Sequence, residues 1–170
     1  MHLLRPAIIA LVLIGISSLS ACGFRPLYAE DKQGQSTASE MAAVKIVLIE
    51  DRIGQLTRNA LIETLTPRGQ VARPLYRLDI TLSETTSELG FTKANEATIA
   101  DYLLYANYNL YRTSDNVLLR KGKLTARTSY NLVDSDFASL EAENAARRDA
   151  ARNLARQISN QVAVGLRSAQ

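Results

Sequence analysis

The chain has 170 residues, 46% of them hydrophobic and 22% charged, which suits one globular domain with short appendages. A net charge of +3 and a pI of about 9.1 are too mildly basic to indicate nucleic acid. One cysteine excludes an internal disulfide, and one histidine leaves little room for metal or nucleophilic chemistry.

Residues 1–21 read as an export signal. Met1 to Arg5 carry one fixed positive charge, Ala7 to Ile16 (AIIALVLIGI) is apolar, and small residues lead to Leu19-Ser20-Ala21-Cys22. The apolar run is shorter than the roughly 20 residues a membrane-crossing helix needs. The last four residues resemble the bacterial lipobox. There the cysteine thiol forms a thioether with a diacylglyceryl group, and cleavage frees an amine for a further acyl chain. At about 0.8 kcal/mol per buried CH₂, two or three chains make a firm anchor. Residue Gly23, rather than an aspartate, resembles the pattern sorted to the outer membrane.

Cleavage before Cys22 also removes His2, the sole histidine. Ser–His and Cys–His catalysis and Cys/His zinc sites then lose their residues. The sequence has no phosphate-cradling glycine loop and no dinucleotide fingerprint. Glu84 with Glu88, and Glu141 with Glu143, lack a framing motif and read as solvated charges. The expectation is a binding or assembly protein, not an enzyme, with no cofactor, no metal and no nucleic-acid partner.

Residues 22–43 form the lipidated N-terminus and a polar tether; Ala29 to Ala43 has no apolar period. A single domain is expected over residues 44–170. Val44 to Ile49 (VKIVLI) reads as a buried strand. Ile53, Leu56, Ala60, Leu61 and Leu65 fall on one face of a helix over about 53–65, with Asp51 as N-cap and Pro67 and Gly69 as stops. Leu75 to Ser83 alternates as a half-buried strand, with Leu89 to Lys93 in the following connection or strand ends. Thr98 to Tyr111 is assigned to a strand, because tyrosine and Asn107-Tyr108-Asn109 disfavour helix. Tyr102 and Tyr108 then face one side, and Tyr105 and Tyr111 the other. After a turn at Thr113 to Asn116, Val117 to Leu132 forms a further strand with a bulge expected at Gly122. A long helix closes the chain over about 138–166, its buried stripe Ala150, Leu154, Ile158, Val162 and Leu166. The order β-α-β-β-β-α predicts a two-layer α+β fold, two helices packed on one face of a four-stranded mixed sheet.

Arg112, Arg120, Lys121, Lys123 and Arg127 fall in a stretch with one acid, Asp115. Without a bulge, Lys121, Lys123 and Arg127 share one strand face, opposite Leu124 and Ala126. Such a face can meet anionic lipid phosphates or stand solvated as an edge that resists aggregation. Arg120, and Lys93 beside Phe91, complete the set of candidate anion contacts.

Cys22-Gly23-Phe24-Arg25-Pro26-Leu27-Tyr28, DRIGQLTRNALIETLTPRG at 51–69, YRLDITLSE at 76–84 and ATIADYLLYANYNLYR at 97–112 together resemble the LptE family of LPS-assembly lipoproteins. Gly122, Thr128-Ser129-Tyr130-Asn131 and the Ala/Arg-rich last helix fit the same family. The resemblance implies an outer-membrane lipoprotein facing the periplasm, seated in the LptD β-barrel, supporting LPS transport and binding LPS. The family's LPS contacts are basic residues near loops and strand ends; they do not transfer position by position here. The alternatives are a scaffold lipoprotein of another outer-membrane assembly machine and a periplasmic carboxylate hydrolase.

Overall fold

In a computed structural model, the protein is described at residues 37–67, 69, 71–91 and 97–168. The export signal, Cys22 and Lys93 lie outside the described residues. The elements are α1 (Thr37–Ala42), β1 (Val44–Ile46), α2 (Asp51–Leu65), β2 (Tyr76–Phe91), β3 (Ala97–Arg112), β4 (Leu118–Asn131) and α3 (Asp136–Ser168). The sheet order is β1-β2-β3-β4, parallel between β1 and β2 and antiparallel elsewhere. This is the expected two-layer α+β arrangement, preceded by one short helix.

That helix is a departure from the polar tether predicted there. Met41 and Ala43 are buried, and the Tyr76 hydroxyl donates to the carboxylate of Glu40, itself buried, at 3.4 Å. The packed domain therefore includes Thr37 to Ala43. Two apolar side chains in a polar segment give no period to read, yet they suffice when a strand and a helix are there to cover them.

Strand β1 is shorter than its β-branched run. Val47 still donates its N–H to Leu78 at 3.1 Å, then Leu48 turns outward (74% exposed) and Ile49 turns back into the core. The bend makes room for α2, which starts against it. A Cβ at Gly54 would stand 2.7 Å from the Ile49 carbonyl oxygen, so only glycine allows this approach. Asp51 is the first helical residue, at φ +65, and not the N-cap; Glu50 holds that position without a side-chain hydrogen bond. At the other end the N–H and hydroxyl of Thr66 both bond to the Ile62 carbonyl, and Gly69 takes φ +94.

Period-2 alternation gives β3 and β4 two distinct faces. Ala100, Tyr102, Leu104, Ala106, Tyr108 and Leu110 are buried beneath the helices, whereas Tyr105 and Asn107 are exposed on the other side. The tyrosine split predicted from the sequence holds. Helix α3 lays Ala150, Leu154, Ile158, Val162 and Leu166 on this core, all fully buried. Its small residues let the helix lie close: a Cβ on Gly165 would meet Arg120 and Leu110 at 3.0 and 3.3 Å.

Gly122 is not a bulge. It pairs in register with Tyr108, and the irregularity lies nearer the turn, where Leu118 pairs with Tyr111 and Arg120 with Leu110, leaving Leu119 extra. The glycine serves packing instead, since a Cβ there would come within 2.9 Å of the Tyr108 ring and hydroxyl.

Candidate functional site

Helices cover one face of the sheet and leave the other open. On that open face β3 and β4 place Asn107 beside Lys123 and Asn109 beside Lys121. Between them, Tyr108 and Gly122 form the floor of a shallow depression of about 370 Å³ lined by these six residues. Both lysines are exposed, and neither forms an ion pair among the described residues. Two ammonium groups and two amides thus converge with no acid in the lining, an arrangement suited to phosphate or carboxylate oxygens.

The other basic candidates separate from this pair. Arg127 shares the open face but lies four to six residues along β4, where its guanidinium pairs with Asp101. Asp101 is only 3% exposed and also accepts from Ser129 at 2.6 Å. The Ser129 hydroxyl first, and Arg127 next, hold its carboxyl below the usual value of 3.8. Arg127 is therefore engaged in covering a buried carboxylate. Arg120 sits on the opposite face by plain strand alternation, with Gly122, Leu124 and Ala126. Its Nε and Nη2 donate to Gln161 Oε1 at 3.0 and 2.6 Å, tying β4 to α3. Arg112 pairs with Asp115 at 3.0 Å across the turn.

Asn107 and Asn109 were not singled out by charge. The signal that could have found them is strand alternation, which puts odd-numbered residues of β3 on the open face beside the odd-numbered lysines of β4.

The carboxylates do not form a hydrolytic pair. Four strand residues separate Glu84 from Glu88, roughly 13 Å of rise, beyond the spacing of glycosidase acids. Glu84 instead accepts from the Tyr102 hydroxyl and stands 3.7 Å from Arg147, which also bonds Glu143 at 2.9 Å. Burial first, and Glu84 second, raise the Tyr102 phenol well above 10.0. Among the described residues no group of three or more His, Cys, Asp or Glu is placed to hold a metal. None of the described helices is long and apolar enough to cross a membrane.

A family model described as LptE, lipopolysaccharide-assembly, matches residues 36–162. No curated protein matches the sequence. Among solved structures, a lipoprotein of Caulobacter crescentus is similar at TM-score 0.63 and 22% identity, covering 79% of this chain and 97% of the other. A minor lipoprotein from Acinetobacter baumannii follows the same fold at TM-score 0.58 and 18% identity, over 72% and 92% of the two chains. The rare lipoprotein B of Shewanella oneidensis does so at 0.52 and 10%, over 74% and 94%.

Proposed function

The chain belongs to the LptE lipopolysaccharide-assembly family, and from that premise we propose that it is anchored in the outer membrane through lipids on Cys22, joins an LptD β-barrel and binds LPS on the open face of its sheet. The family is not enzymatic. The observation that carries the binding assignment is the depression between Lys121, Lys123, Asn107 and Asn109, whose two cations make no ion pair among the described residues. LPS molecules are held to one another by divalent cations bridging their phosphates. Two fixed ammonium groups offer charge-assisted hydrogen bonds to the same oxygens and so compete with those bridges. Each such contact contributes about 1.5–3 kcal/mol, enough to loosen a lipid for transfer without trapping it. The opposite face, closed by α2 and α3, gives the rigid body that a seat inside a barrel requires.

Purification of the full chain from detergent-solubilised outer membrane tests the reading in three parts. LptD is expected to co-purify, intact mass is expected to show acyl chains on Cys22, and the Lys121→Glu/Lys123→Glu variant is expected to bind LPS at least about tenfold more weakly. Loss of LptD from the complex would overturn the partner assignment. An unmodified thiol would overturn the anchor. Unchanged LPS affinity in the variant would move the site elsewhere.

A further inference from the structure

A second cleft opens on the helical side of the molecule, between the start of α2, one turn of α3 and the middle of β2. It has a volume of about 370 Å³ and is lined by Asp51, Arg52, Ile53, Leu56, Glu84, Asn144, Arg147 and Arg148. Asn144, Arg147 and Arg148 follow the i, i+3, i+4 spacing that puts three side chains on one helix face. Arg52 faces them from the first turn of α2.

The three arginines are not equivalent. Arg147 is fixed: it bonds Glu143, lies 5.7 Å above the Tyr102 ring, and its buried Nε stands 3.7 Å from Glu84 Oε2 with no hydrogen-bond partner among the described residues. Arg52 and Arg148 are exposed and make no ion pair among the described residues. Of the two acids in the lining, Glu84 is already engaged by the Tyr102 hydroxyl and lies near Arg147. The formal charge of the lining is +3 from arginine and −2 from Asp51 and Glu84, hence +1. Ile53 and Leu56 give the cleft an apolar wall that lowers the local dielectric and strengthens any charge contact made there.

We propose that this cleft is an anion site, separate from the lysine depression on the open sheet face, that takes a phosphate monoester or a comparable small oxyanion. The planar guanidinium forks of Arg52 and Arg148 grip its oxygens, Asn144 supplies an amide donor, and the charge of Arg147 in the cleft wall adds to the attraction. The volume lies in the range of small-ligand clefts and admits a phosphate with a few attached polar atoms.

The test follows the arginine side-chain Nε–Hε resonances of the full-length protein in detergent during titration with inorganic phosphate and with glycerol 3-phosphate, at ionic strength matched with chloride. Saturable shifts at Arg147 and Arg148 are expected in wild type, and the affinity read from the Arg147 shift is expected to weaken about tenfold or more in Arg52→Ala/Arg148→Ala. Both replaced residues are exposed and unpaired, so unchanged circular dichroism and Tm are expected. Lys121→Glu/Lys123→Glu is expected to leave the titration unchanged, which keeps this inference independent of the proposed LPS face. A parallel arm compares vesicles of phosphatidic acid with vesicles of phosphatidylcholine. An arginine-dependent response to the former without one to glycerol 3-phosphate assigns the site to a lipid-borne phosphate; the reverse assigns it to a small solute. Linear, non-saturating shifts in both arms, the same in wild type and arginine variant, would overturn the site.

Discussion

Individual residues decide where this fold is tight and where it titrates. Gly54 is the clearest steric case. Alanine in a helix interior is ordinarily about 1 kcal/mol better than glycine. Here its Cβ would press to 2.7 Å on a backbone oxygen, so the loop at Ile49 must move. Gly54→Ala is expected to destabilise the protein by about 1–3 kcal/mol in denaturant unfolding, reversing the usual sign. Asp101 is the electrostatic case. Its folded-state pKa is depressed, chiefly by Ser129 and then by Arg127, so its contribution to stability is present above the unfolded value and is lost as pH falls through the folded one. The expected profile is constant stability above about pH 5 from this group, declining below about pH 4. Denaturant midpoints across that range should show a flatter acid limb in Asp101→Asn than in wild type.

At the scale of elements, α3 is the principal packing surface, and one of its residues fits imperfectly. Ser159 is 1% exposed, and its hydroxyl has no hydrogen-bond partner among the described residues. Removing that oxygen relieves a desolvated polar group and improves helix propensity. Ser159→Ala is expected to raise stability by about 1 kcal/mol, read as a higher denaturant midpoint; a lower midpoint would show the hydroxyl has a partner. The same helix was the most legible element in the sequence, because the four-residue step of Ala150, Leu154, Ile158, Val162 and Leu166 is sustained over several turns. Strand β3 was legible through composition and not through period, since its tyrosines recur every three residues and only the preference of Tyr and Asn107-Tyr108-Asn109 against helix pointed to a strand. Strand β2 was legible only to Ser83. Beyond it Glu84 to Leu89 is exposed, so no apolar alternation survives, and backbone pairing with β3 alone carries the strand to Phe91. In β1 the reverse failure occurs, since VKIVLI continues apolar past the point where the chain must bend for α2. The basic candidates were legible as charge but not as geometry. Alternation alone separates Arg120 from Lys121 and Lys123, but nothing in composition shows that Arg127 is taken up by the buried Asp101 or Arg120 by Gln161.

At the scale of the molecule, one sheet separates two chemistries. Its helical side is a packed layer with the arginine cleft at one margin. Its open side mixes Asn, Thr, Ser and Tyr with Leu89, Ile99 and Leu103 and with the ion pairs Arg77–Asp79 and Arg127–Asp101, and near the turn between β3 and β4 it carries two lysines that make no ion pair among the described residues. Among the described residues the chain enters at α1, whose end lies close to the start of β2, since Leu75 donates its N–H to Ala43 at 3.0 Å. The turn joining β3 to β4 lies at that same end, with Thr113 bonded to Leu75 at 2.9 Å. The lysine depression is therefore toward the end of the sheet where the chain arrives from its N-terminal segment.

The most direct test of this account places a photoreactive phenylalanine analogue, one site at a time, at Asn107, Asn109 and Gln161 in cells, with LPS detected on the irradiated protein. Crosslinks at Asn107 and Asn109 with none at Gln161, which lies beneath the sheet beside Arg120, are the result predicted. LPS adducts at Gln161 with none at either asparagine would contradict the assignment of the open face.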